Sequence, residues 1–205
     1  MLLLSFTLMF LIKKYKKPVF NPKGINKIIK ILTFSDILMI GSFGLVAPIF
    51  AVFITDSIQG GNLGTVGIAS TIYLLTKSVF QLFAAHIADG IKGEKDDFWA
   101  MFISSIIISL IPLLYLIISN THELFIVQFI YGIAAAFSFP SWMAIFTRHI
   151  DKNSEAREWG IYYTLIDLSA AATAGIGGIV AYNFGFKPLF IIVSAIGLVL
   201  SLIHI

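Results

Sequence analysis

The sequence predicts an all-α polytopic membrane protein: six transmembrane helices arranged as two inverted three-helix repeats. Three observations predict this. Of 205 residues, 58% are hydrophobic and 12% charged, whereas a soluble domain has about 45–50% apolar and about 25% charged residues. Apolar stretches long enough to cross a bilayer alternate with short polar turns. Lysines and arginines collect on alternate connections.

Residues 1–12 form a short apolar run ahead of Lys13, Lys14, Lys16 and Lys17. A spanning helix needs about 20 residues, and a secretory signal puts its charge before the apolar run. Two readings stay open for segment 1–26: an interfacial anchor, or the tail of a preceding helix. Pro18, Asn21, Pro22 and Gly24 then break regular structure. The six spans of the 27–205 domain are expected at 27–55, 63–88, 98–119, 123–148, 159–184 and 188–205. The first carries Gly41, Gly44 and Pro48, and the fourth carries Gly132 and Pro140. Spanning helices tolerate such residues because neighbours satisfy the freed backbone groups. The last span reaches Ile205 without a polar tail, as a chain continuing further would.

The charge pattern gives an orientation. Lys13, Lys14, Lys16, Lys17, Lys23, Lys27 and Lys30 precede or open the first span. Lys92 and Lys95 lie between the second and third, and Arg148, Lys152 and Arg157 between the fourth and fifth. The opposite connections hold Lys187 alone. The N-terminus is therefore expected in the cytoplasm of a cell with this chain in its inner membrane.

An internal repeat underlies the six spans. Pro48-Ile49-Phe50-Ala51-Val52-Phe53-Ile54-Thr55 aligns with Pro140-Ser141-Trp142-Met143-Ala144-Ile145-Phe146-Thr147 at an offset of 92. Gly67-Ile68-Ala69-Ser70-Thr71 through Thr76 aligns with Gly160-Ile161-Tyr162-Tyr163-Thr164 through Ser169 at an offset of 93. Three spans per copy place the second copy upside down, an arrangement found in secondary transporters.

The densest charge cluster is the turn Ala85-His86-Ile87-Ala88-Asp89-Gly90-Ile91-Lys92-Gly93-Glu94-Lys95. It resembles the G-x-L-a-D-R-x-G-R-K signature of the major facilitator superfamily, between that family's second and third helices. Ala85, Gly90 and Glu94 depart from it, and Lys92 is an extra residue. Gln128-Phe129-Ile130-Tyr131-Gly132 resembles the fourth-helix R-x-x-x-G pattern with Gln128 for the arginine. Gly185-Phe186-Lys187-Pro188-Leu189-Phe190 resembles the family's G-W-R-x-x-F turn. The resemblance covers residues 27–205, one six-helix half of such a transporter. It implies a secondary active transporter that moves a small solute by alternating access and needs a second six-helix half, from the same or another chain. The Asp89 turn and the Gly44-to-Pro48 pattern favour the N-terminal half, with the C-terminal half as the other reading. The resemblance also implies a conformational latch: Asp89 with the Gly93 and Lys95 turn, partnered by Arg148 and Arg157.

Charges within the spans mark a path. Asp36, Lys77 and Asp167 interrupt apolar helices, where a charge costs about 2.5–3.5 kcal/mol on insertion scales and so faces a cavity or a partner. Together with Gln128 they are the expected lining for a substrate or ion, with Lys77 paired to Asp36 or Asp167 as one option. Ala170, Ala174 and Gly178 form a small-residue stripe suited to close helix packing. Ala174-Gly175-Ile176-Gly177-Gly178 only approximates the G-P-x-x-G-G element of the family's drug/proton antiporters. Enzyme function is not expected. The chain has no cysteine, and His86, His122, His149 and His204 are scattered, so no metal or cofactor motif forms. No nucleic-acid partner is expected. A membrane scaffold or an intramembrane enzyme is the alternative.

Overall fold

The computed structural model describes residues 24–90 and 93–203. The lysines at 13, 14, 16, 17 and 23, Lys92 and His204 lie outside the described residues, as does nearly all of the 1–26 segment. The described residues form six spans. The first is broken: helix Lys27–Gly44, a 3-10 turn Ala47–Ile49, then helix Phe50–Ser57. The others are Leu63–Gly90, Lys95–Leu114, Thr121–His149, Glu155–Phe184 and Phe186–Ile203. Five are long and apolar enough to cross a bilayer, the broken first span counted as one, and the sixth is a shorter apolar helix.

The break has a local cause. Pro48 has no N–H, and its ring would strike the carbonyl four residues back in a regular helix. The chain tightens instead: Leu45 N–H donates to the Ser42 carbonyl, and Ile49 N–H to that of Val46, 3.2 and 3.0 Å away. A straight 27–55 helix is thus corrected to two helices with a turn. Two starts also move. The third span opens at Lys95 rather than 98 and the fifth at Glu155 rather than 159. Acidic residues fill both first turns, Asp96 and Asp97 in one and Glu155 and Glu158 in the other. There they complement the positive end of the helix dipole.

The spans pack in an open series of neighbours that runs from the second to the fifth. The second lies on the fourth, the fourth on the third, the third on the sixth, the sixth on the first, and the first on the fifth. Exchange the first three spans for the last three, and these contacts map onto one another. A lesser contact of fifth with sixth has no counterpart of similar size among the described residues.

The detail repeats too. Thr71 donates to the Gly67 carbonyl at 2.9 Å, and the aligned Thr164 to that of Gly160 at 2.7 Å. Thr76 packs on Gly132 of the fourth span, where a Cβ would come within 2.8 Å of it. The aligned Ser169 occupies the same place over Gly41 of the first span and donates to the Ile37 carbonyl at 2.8 Å.

Two cores fill the bundle. At the Ser57 end, Phe53, Ile54, Ile111, Tyr115, Leu124, Leu189 and Phe190 are buried together. At the Lys27 end, Ile29, Leu32, Met101, Trp142, Phe146, Tyr162 and Ile166 form the second. The second and fifth spans stand apart from both. Only 11% of each apolar window is buried, against 44% for the third and fourth.

Candidate functional site: two cavities along the bundle

Two cavities run end to end between the spans. The one toward the Ser57 end has a volume of 380 Å³ and is lined by Phe43, Val46, Ala47, Phe50, Ser70, Tyr73, Leu74, Pro112, Tyr115, Gln128, Tyr131 and Phe190. Its polar groups are few. Gln128 is 4% exposed, and its Nε2 donates to the Tyr115 hydroxyl at 3.2 Å. The sequence names Gln128 as path-lining, and the structure places it on this wall.

The cavity toward the Lys27 end has a volume of 340 Å³. Asp36, Ser105, Ser138 and Lys77 supply polar groups among Met39, Ile40, Phe43, Tyr73, Met101, Tyr131, Phe139, Trp142 and Tyr162. Phe43, Tyr73 and Tyr131 line both cavities. The Tyr131 ring stacks on Phe43 at 6.2 Å between centroids and tilts against Tyr73 at 4.6 Å. These three rings, from the first, second and fourth spans, are the partition between the cavities.

Asp36 and Lys77 share the second cavity without pairing. The Tyr162 hydroxyl donates to Asp36 Oδ2 at 2.8 Å. Lys77 Nζ lies 4.9 Å from the centroid of the Phe139 ring, a cation–π geometry. Asp167 is not brought to them. It lies on the exposed side of the fifth span, about 18 Å along the helix from Glu155. The close-packed line on that span also differs from the expected stripe. It runs Ser169, Thr173 and Gly177 against Gly41, Gly44 and Leu45; Ala170 of the expected stripe also packs on Gly44, while Gly178 faces open space.

The charges at the Lys27 end collect at three helix termini, and an ion pair joins two of them, the third and the fourth. Arg148, in the last turn of the fourth span, donates from Nη1 to Asp97 Oδ2 at 2.5 Å. The Asp97 side chain has no exposed surface, and Arg148 keeps 38%. Both charges suit their helix dipoles, an acid at an N-terminus and a base at a C-terminus. His149 Nδ1 lies 2.9 Å from the Ile145 carbonyl and 3.7 Å from Glu94. Arg157 lies 3.8 Å from Glu158 Oε1 and donates to Ser154 Oγ at 3.4 Å. Glu158 is 1% exposed.

Arg148 therefore has Asp97, not Asp89, as its partner. Asp89 is exposed at the end of the second span, and Lys95 is exposed at the start of the third. Neither forms an ion pair among the described residues. Gly93 between them has a φ of +127°, which favours glycine. Asp97, Glu158, Tyr162, Tyr115 and the partition rings are absent from the candidates read in the sequence. For the acids a signal exists. Asp97 lies four residues before Met101 and on the stripe that continues through Ser105 to Ser109, all buried. Glu158 opens the line Glu158, Tyr162, Ile166, also buried.

Comparison with known families adds one match. The profile of the Major Facilitator Superfamily matches residues 32–205. No curated protein matches the chain.

Proposed function

Because the chain belongs to the Major Facilitator Superfamily, we propose that its two cavities are successive stations of a solute path opened alternately to each side. It is a multi-pass membrane protein and a transporter of the major facilitator kind. The observation that carries the proposal is the partition of Phe43, Tyr73 and Tyr131 between an aromatic cavity and a charged one. Rings drawn from three spans separate when those spans rock, so a small rotation joins or divides the two spaces.

Completion by a second six-helix bundle, from this chain or another, is part of the proposal. The second and fifth spans are its docking face. Asp167 is exposed there at mid-helix, and a carboxylate in contact with lipid at that depth is costly. A protein partner or a water-filled path covers it. The N-terminus lies in the cytoplasm under this reading, in the inner membrane. Lys27, Lys30, Lys95, Arg148, Lys152 and Arg157 share one end, and Lys187 stands at the other. The Asp97–Arg148 pair replaces Asp89–Arg148 as the proposed contact that sets the closed state of that end.

Cysteine accessibility tests the path. The chain has no cysteine of its own, so Ser70→Cys reports on the aromatic cavity and Ser138→Cys on the charged one. Sealed vesicles of both orientations are treated with a membrane-impermeant maleimide. Labelling of the two positions from opposite sides is expected. Labelling of both from the same side, or of neither from either side, overturns the proposal.

A further inference from the structure

We infer that the charged cavity takes a small zwitterion, an ammonium and a carboxylate carried on one apolar frame. The inference rests on the transporter reading above and names the class of its solute. Lys77 and Asp36 line one 340 Å³ space, yet neither neutralises the other. Among the described residues Lys77 forms no ion pair within 4.0 Å, and its ammonium rests over Phe139. The Tyr162 hydroxyl engages one oxygen of Asp36. Both residues are half-buried, and a charge partly withdrawn from water is still costly unless an opposite charge or strong hydrogen bonds compensate it. A ring face compensates an ammonium only in part. The cavity thus offers one cation and one anion, each short of a counter-ion.

The sign pattern selects the solute. A plain organic cation would be drawn to Asp36 and repelled by Lys77. A plain organic anion would meet the reverse. A molecule bearing both signs satisfies both walls, and rejection of single-charge analogues follows from the group left unpaired. The remaining wall is apolar, with Met39, Ile40, Met101 and Phe139 among the groups that meet a hydrocarbon or aromatic frame. The volume lies at the small end of ligand cavities, about 300–1,000 Å³, so the frame is small.

Binding of matched triples tests this without a transport assay. The full chain in lipid nanodiscs is titrated with phenylalanine, phenethylamine and 3-phenylpropionate, which share one frame. Leucine and 6-aminohexanoate, each with its amine-only and acid-only analogues, supply a branched and a linear frame. At least one zwitterion is expected to bind about tenfold or more tighter than both of its analogues. Lys77→Met should reduce it to the level of the amine, with Lys77→Arg restoring the difference. Asp36→Asn should reduce it to the level of the acid.

Three results overturn the inference: no zwitterion binds, a single-charge analogue matches its zwitterion, or the Lys77→Met/Asp36→Asn variant binds like the wild type. The last would mean that the two charges serve packing alone. Opposite-side labelling of Ser70→Cys and Ser138→Cys beside any of these results would leave the transport reading standing and remove only the solute class. Same-side labelling would remove the transport reading itself.

Discussion

The two ends of the bundle are closed by different means. At the Ser57 end, Phe53 meets the rings of Phe50, Tyr115, Phe186 and Phe190 at centroid distances of 4.9–6.1 Å. A backbone bond from Gln59 N–H to the Ser119 carbonyl, 2.8 Å, ties two connections together there. At the Lys27 end, rings are also packed, but the third and fourth spans meet there through the Asp97–Arg148 pair, and the fifth carries an adjacent pair of its own, Arg157 and Glu158. Ring packing is short-ranged and fills space, so it yields little until it gives way altogether. An ion pair can be released and re-formed with another partner, because its strength follows from water and neighbouring charge. The contrast teaches that one bundle can hold a firm end and an exchangeable end without any change of fold.

Removal of the exchangeable contact should have the largest effect. Arg148→Ala leaves the Asp97 carboxylate buried and unpaired. Breaking a buried pair costs about 3–5 kcal/mol, and the partial exposure of Arg148 puts the loss near 3 kcal/mol. Equilibrium unfolding in bicelles measures it, and a loss below 1 kcal/mol would mean that this end is not held by the pair. Phe53→Ala attacks the firm end. In lipid the water-transfer part of a core substitution falls away and packing remains, so a loss of about 2 kcal/mol from the cavity is expected. The same unfolding experiment reads it. A loss larger than that of Arg148→Ala would reverse the comparison.

Smaller changes sharpen it. Tyr162→Phe removes the donor to Asp36 at the Lys27 end and should cost about 1 kcal/mol, with the helices otherwise unchanged by circular dichroism. At the Ser57 end, the Asn120 side chain caps the fourth span by accepting from Glu123 N–H at 3.1 Å. Asn120→Ala should cost about 0.5 kcal/mol, the low end for a cap, because Glu123 still accepts from Ser119 N–H. Hydrogen exchange at residues 121–124 is the direct readout. Protection there should fall while that of the Lys27 end stays constant.

Hydropathy and cation placement were enough to read six spans, and the second span begins at Leu63 as expected. One physical habit accounts for most of what was missed. A hydropathy reading starts each span at its first apolar residue, so Asp96, Asp97, Glu155 and Glu158 fall outside the helices. Helices start earlier, because acids stabilise a first turn. The spacing of Asp97 from Met101 and of Glu158 from Tyr162 puts both acids inside the bundle. The aromatic partition was hidden for a different reason. The chain has many aromatic residues, and nothing in linear order distinguishes a ring facing a cavity from one facing lipid. Asp36 and Lys77 were legible because a charge in an apolar helix needs a cause. That they share a space without pairing depends on how the first and second spans pack, which linear order does not carry.

The exchange of the first three spans for the last three carries one more implication. The first span runs from the Lys27 end to the Ser57 end, and the fourth runs back. Swapping the copies therefore inverts the bundle while preserving its main contacts. Such a framework has no up or down of its own. Direction is written where the copies disagree, for example at the kink of Pro48 opposite the unbroken helix through Pro140, and at the Asp97–Arg148 pair opposite the ring cluster. Under the proposed function, the two sides of the membrane are told apart by side chains laid over a scaffold whose main contacts read the same from either end.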